Sequence, residues 1–114
     1  MSQSPIKGLI FDLVSADFTA TGLGTVLNAI SYIPEYFALQ VAGVDAAPIS
    51  WTVQLEGSLD GVNWTKLVEH KTTDGNGAIV WNPDTVRHVS HLRVNVTSLV
   101  LGSATAVKVT FLAY

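Results

Sequence analysis

The chain contains no cysteine among its 114 residues, so neither a disulfide framework nor a cysteine zinc site is available to hold it together. Charge is the second scarcity. Only 13% of the residues are charged, about half the roughly 25% of an ordinary soluble domain. Six basic residues against nine acidic give a net charge of −3, which argues against nucleic-acid binding, whose footprint is a basic patch. Long apolar runs are missing as well. The longest charge-free stretch, Phe18 to Pro34, is broken by Gly22, Gly24 and Pro34 and carries several Thr and Ser, so it is not a membrane helix. Met1-Ser2-Gln3-Ser4-Pro5 lacks the basic, apolar and small-residue order of a signal peptide. Synthesis in a cytoplasm, with no membrane partner, is the expectation. The sequons at Asn63-Trp64-Thr65 and Asn95-Val96-Thr97 carry almost no weight without a secretory route.

What the chain has in abundance is apolar and β-branched residues. Apolar residues make up 48% and the mean hydropathy is +0.38, too little charge to cover a monomer comfortably. A subunit that covers part of its surface with neighbours is expected. Val, Ile and Thr account for 32 of the 114 residues; such side chains lose rotamer freedom in helices and pack well on a pleated surface. Period-two alternation is clean at Trp51/Val53/Leu55, Leu92/Val94/Val96 and Val107/Val109/Phe111, the pattern of strands with one buried face. Leu9/Phe11/Leu13 and Phe37/Leu39/Val41 form two further rows. Thr25 to Tyr32 is apolar on both faces, which suits a central or partner-covered strand, with a short helix over Val26 to Ile33 competing. Runs at Trp64 to His70 and Ala78 to Trp81 complete about eight strands. Turn residues punctuate them at Thr21 to Gly24, Gly43 to Pro48, Asp60-Gly61, Asp74 to Gly77, Asn82 to Asp84 and Gly102-Ser103. The pattern predicts an all-β fold: a single antiparallel β-sandwich, jelly-roll-like, formed by residues 1–114 as one domain.

The segment Trp51 to Trp64 holds the most specific motif. A strand runs into Gly57-Ser58, a turn forms at Asp60-Gly61, and a return strand starts at Asn63-Trp64. Asp-Gly suits the turn because glycine accepts positive φ and the aspartate bonds to amides just beyond it. The Ser58-x-Asp60-Gly61-x-x-Trp64 pattern, with Val86 to Val94 in place of a later Arg-Tyr-Val-Arg-like strand, resembles the hairpin of discoidin-like and related galactose-binding-type sandwiches over residues 50–114. The layout of nearly the whole chain is similar to small β-sandwich proteins of tailed-bacteriophage virions. There a Thr/Ala/Gly-rich opening like Thr19 to Gly24 is followed by a strand and by a leucine-x-Gly-Ser-x-Asp-Gly-x-Asn-Trp segment like Leu55 to Trp64. Discoidin domains are usually longer, disulfide-closed and exported, which this chain does not match.

Chemistry-bearing residues are sparse. His70, His88 and His91 are expected at the surface or an interface rather than on a metal; His88 and His91, three apart, would lie on opposite faces of a regular strand. Asp60, Asp74 and Asp84 sit beside Gly, Asn or Pro and read as turn formers; Asp74 and Asn76 would be the best calcium oxygens, but the loop is too short and carboxylate-poor for an EF-hand. No nucleophile elbow, zinc-protease helix or phosphate loop is present in the sequence. No enzyme activity, cofactor or metal is expected. Trp51 and Trp64 are expected in the core, Trp81 at a strand end and exposed. The charge-poor C-terminal strand is expected either centrally in a sheet or in an interface.

The resemblance to virion proteins implies a non-enzymatic structural subunit, a capsid decoration or head-associated protein, made in the host cytoplasm and carried in the virion. It would bind other virion proteins (major capsid protein or neighbouring head or tail subunits) and form homo-oligomers. The interface residues expected are Val26, Leu27, Ile30, Tyr32, Ile33, Tyr36, Phe111, Leu112 and Tyr114. The alternative, implied by the discoidin-like hairpin, is a carbohydrate-binding domain or tail receptor-binding accessory, with a glycan held by Trp81, Asn82, Asp84 and Arg87.

Overall fold

A computed structural model describes residues 12–27, 36–82 and 89–113, with the backbone alone for residues 12 and 13. Eight strands are present among the described residues: β1 (Asp12–Phe18), β2 (Gly22–Leu23), β3 (Phe37–Val44), β4 (Ser50–Ser58), β5 (Thr65–Lys71), β6 (Ile79–Trp81), β7 (His91–Val100) and β8 (Ala106–Ala113). The one helical element described is a 3-10 turn, Thr72–Asp74. The strands form two antiparallel four-stranded sheets, ordered β1-β8-β3-β6 and β2-β7-β4-β5. This is the all-β sandwich the alternation predicts.

Period-two patterning builds the core directly. Phe37, Leu39 and Val41 on β3 and Val107, Val109 and Phe111 on β8 are buried and point inward from the first sheet. Trp51, Val53 and Leu55 on β4 and Leu92, Val94 and Val96 on β7 meet them from the second. All twelve belong to one continuous apolar core, against which Val14, Phe18 and Val80 also pack. Two irregularities punctuate the second sheet. Leu67 is an extra residue in β5 opposite the Leu55/Glu56 step, and Thr97 is an extra residue in β7 opposite Thr52/Val53. Such bulges increase local twist and re-aim side chains; here both Leu67 and Val68 become buried.

Several expectations are revised. Of the Leu9/Phe11/Leu13 row, Leu9 and Phe11 lie outside the described residues. β1 runs from Asp12 to Phe18, and pairing with β8 sets Val14 opposite Phe111 and Phe18 opposite Val107; Val14 and Phe18 pack against the core. The Thr21 to Gly24 turn contains a two-residue strand, β2, paired with Asn95 and Val96 of β7. Of the Thr25 to Tyr32 strand, only its start is described. Leu27 exchanges two backbone hydrogen bonds with Leu92, at 2.8 and 3.0 Å, and residues 28–35, with the competing helix, lie outside the described residues. β3 continues to Val44, so the turn before Pro48 is shorter than the glycine suggested.

Side chains fasten the loops to this frame. The turn before β6 is tied to β3 by Gly77 N–H to Val41 O at 2.7 Å, by Gln40 Nε2 to Gly77 O at 2.8 Å and by Gly43 N–H to Asn76 Oδ1 at 2.7 Å. Asn76 is therefore a turn former. So is Asp74, whose carboxylate accepts from Lys71 N–H at 2.9 Å and closes the 3-10 turn. Thr72 Oγ1 accepts from Trp51 N–H at 2.9 Å and docks that turn on β4.

Candidate functional site

Three places on the described surface combine shape with chemistry. The first is the hairpin end. Asp60 Oδ1 accepts from the backbone N–H of Val62 and of Asn63, both at 2.8 Å, and Oδ2 accepts from the Asn63 amide at 2.8 Å. Ser58 Oγ donates to Asp60 Oδ1 at 2.9 Å and accepts from Gly61 N–H at 2.9 Å. Gly61 sits at φ 78°, the left-handed region where glycine is unstrained. The carboxyl is held well below the usual carboxylate range, first by the Asn63 and Val62 amides, then by the Asn63 side chain and the Ser58 hydroxyl. The Ser-x-Asp-Gly-x-x-Trp motif is thus a self-satisfied turn. It walls an open cavity of about 350 Å³ with Gly57, Thr65, Leu67 and Val89, but its carboxylate is already occupied by its own loop.

The second place lies on the outer face of the second sheet. Glu56 and Arg93 are directly opposed on β4 and β7, and Arg93 Nε donates to Glu56 Oε1 at 2.7 Å. Asn95 Nδ2 donates to Glu56 Oε2 at 3.1 Å. The guanidinium also lies 4.1 Å from the Trp64 ring centroid, and His91 meets that ring edge-on at 6.5 Å. Trp64 therefore corrects the expectation of a core residue. It precedes β5, is half-buried, and serves as a platform for a cation rather than as core filling. Alternation cannot reveal this, because the bulge in β5 breaks the period between Trp64 and the buried Val68.

The third is the outer face of the first sheet. Cross-strand register aligns Leu112 on β8, Ala38 on β3 and Trp81 on β6 in one row, and Thr110, Gln40 and Ile79 in the next. Together they line an apolar groove of about 150 Å³. Trp81 is 47% exposed and Ile79 56%, large apolar side chains standing out from a sheet face. Further along, Asp17 and Lys108 are paired across β1 and β8.

The residues singled out from the sequence fall unevenly on these places. Trp81 and Leu112 meet in the third; Tyr36 is exposed just ahead of β3. Val26 and Leu27 are half-buried, and Leu27 packs on the core. Phe111 is 2% exposed because it sits on the inward face of β8 and packs in the core between the sheets, so it is no surface contact. Asn82 is part of the frame: its Oδ1 accepts from Phe37 N–H at 3.0 Å and its N–H donates to Phe37 O at 2.9 Å, extending the β3–β6 ladder. Ile30, Tyr32, Ile33, Asp84, Arg87, His88 and Tyr114 lie outside the described residues. His70 overturns the expectation of a surface histidine. It is fully buried, accepting from Trp51 Nε1 at 2.9 Å and bonded through Nε2 to Ala78 O at 2.8 Å. Ile79 was missed, although its place beside Trp81 in a short strand ahead of Asn82-Pro83 was visible. Among the described residues no group of His, Asp or Glu is arranged to hold a metal ion, and no helix is long and apolar enough to cross a membrane.

The fold and these surfaces define an antiparallel β-sandwich with an apolar groove on the outer face of one sheet. No family model matches the sequence, and no curated protein matches it. Among solved structures it is similar to the SPBc2 prophage-derived protein YomS, at 15% identity and a TM-score of 0.54, over 95% of this chain and 97% of that one. PirA aligns at 9% identity and a TM-score of 0.47, over 98% of this chain and 100% of that one. A protein of the disulfide-linked pili of Bacillus endospore appendages aligns at 18% identity and a TM-score of 0.42, over 100% of this chain and 96% of that one. The likeness to YomS is one of fold.

Proposed function

We propose that this chain is a non-enzymatic structural subunit of a tailed-bacteriophage virion, a capsid decoration or head-associated protein that works through protein–protein contact. The observation that carries the reading is the outer face of the first sheet, where Trp81 and Ile79 stand exposed over the groove floored by Ala38 and Leu112. A monomer gains nothing from exposing these side chains, whereas docking on a neighbour stabilises by roughly 25 cal/mol per Å2 of apolar surface removed from water, before ordering costs. The fold likeness to a protein derived from a prophage supports the same reading. The partners are the major capsid protein or neighbouring head or tail subunits, together with further copies of this chain, and the protein is made in the host cytoplasm before incorporation.

The test is co-sedimentation of the purified protein with phage heads, comparing wild type with Trp81→Ala. Saturable binding that falls at least tenfold in the variant, a loss of about 1.4 kcal/mol, supports the proposal. No binding to heads, together with a Trp81 fluorescence shift on adding a glycan, overturns it in favour of a carbohydrate-binding domain.

A further inference from the structure

Among the described residues the two sheets present four edge strands, and three of them are blunted. β2 is two residues long and β6 three. β5 carries Lys66, Glu69 and Lys71 and the extra residue Leu67. Short edges, charged edge residues and bulges are the devices by which sheets avoid pairing with other chains. β1 carries two aspartates, Asp12 and Asp17, but is neither short nor bulged. It runs seven residues, Asp12-Leu13-Val14-Ser15-Ala16-Asp17-Phe18, with no proline and no lysine, and its pairing with β8 is unbroken from end to end. Among the described residues nothing pairs with its other side.

We propose that β1 is the site at which a second copy of this chain adds, β1 to β1 and antiparallel, joining the two first sheets into one continuous sheet across a two-fold axis at Ser15. This rests on the reading of the protein as an assembling subunit and names the partner and the contact. The strand is self-complementary in that register. Ser15 faces Ser15 of the second copy, Val14 faces its Ala16, and Asp12 and Asp17 face its Phe18 and Leu13. Neither aspartate opposes an aspartate, so the like-charge penalty of a cross-strand pair does not arise. Because the register preserves even and odd positions, the inward Val14 and Phe18 stay on the core side in both copies. The two-fold makes the contact isologous and closed, and the trimmed edges at β6, β5 and β2 stop the sheet from growing into a fibre.

The absence of native cysteine makes the register directly testable. Residues opposed across antiparallel strands have Cα atoms about 4.5–5.5 Å apart, within disulfide range. Ser15→Cys should therefore cross-link into a dimer under mild oxidation. Asp17→Cys should not, because its counterpart lies four residues along the strand, roughly 14 Å away. Ser15→Lys, which sets like charges face to face at the axis, should weaken dimerisation about tenfold or more in a light-scattering dilution series. Its circular dichroism and melting temperature should match those of wild type at concentrations where both are monomeric. Cross-linking of Ser15→Cys above that of Asp17→Cys, with dissociation in Ser15→Lys, upholds the proposal. Equal cross-linking of the two variants, or an oligomer that Ser15→Lys leaves intact, overturns it, as does a wild type that is monomeric at every concentration with no Ser15→Cys dimer. In each overturning case head binding by the wild type would leave the virion reading standing, so the two fail separately.

Discussion

Trp51 Nε1–H donates to His70 Nδ1 at 2.9 Å in the buried core. An indole N–H can only donate, so Nδ1 is the acceptor nitrogen and the proton sits on Nε2, which donates to Ala78 O at 2.8 Å. The histidine thus links β4 and β5, where it is part of the second sheet, to the segment leading into β6 of the first. Its tautomer is set by its two partners.

Removing either end of this chain leaves a buried polar atom without a partner. Trp51→Phe strands His70 Nδ1 and should cost about 1–3 kcal/mol. His70→Ala strands both Trp51 Nε1 and Ala78 O and opens a cavity, so about 3–5 kcal/mol is expected. Urea unfolding with an unchanged m-value measures both. A His70→Ala loss under about 1 kcal/mol would contradict the linkage described.

Asp60 gives the pH dependence its sign. Its carboxyl is depressed in the folded protein by the Asn63 and Val62 amides, so the charged form is favoured on folding. The stabilisation is fully present above the ordinary carboxylate value near pH 4 and is lost as pH falls through the lower folded value. Asp60→Asn should lower stability at neutral pH and flatten the acid limb of a melting-temperature profile below about pH 4. An acid limb identical to wild type would exclude this role.

The Glu56–Arg93 pair is mostly withdrawn from solvent, with side chains 12% and 19% exposed. Breaking it by Glu56→Ala leaves the guanidinium over Trp64 and the Asn95 amide without their carboxylate. We expect a loss of about 2–4 kcal/mol from that change and a smaller one from the Glu56→Ala/Arg93→Met double variant, because the residual unpaired charge is gone. A double-mutant cycle in denaturant reads the coupling.

Close approach and backbone conformation predict different glycine costs. A Cβ on Gly43 would meet Ala46 O at 2.0 Å and Pro48 Cδ at 2.7 Å, contacts that only backbone movement relieves. Gly61 has room, its nearest atom being His91 Nε2 at 3.4 Å, but holds φ at +78°. Gly61→Ala should cost about 1–2 kcal/mol and Gly43→Ala more than about 3 kcal/mol; thermal melts of the two variants give the order.

The inner faces of the sandwich were legible in the sequence because the side-chain period of a strand is two, and a row such as Trp51/Val53/Leu55 or Val107/Val109/Phe111 can satisfy its apolar side in only one way. The Asp60-Gly61 turn was equally local: its partners lie within three residues, so composition alone specifies it. What lay beyond the sequence was set by pairing between distant strands. Whether the charge-poor C-terminal strand is central or exposed depends on β1 and β3 flanking it, and those contacts cross most of the chain. A buried His70 and a half-buried Trp64 follow from a bulge and from partners at Trp51 and Arg93, none of which a local pattern encodes. The outer groove at Trp81 likewise exists only once register brings Ala38, Leu112 and Ile79 beside it. Short-range sterics and burial fixed which residues form strands and turns; the long-range ladder alone decided which of those strands stand at an edge.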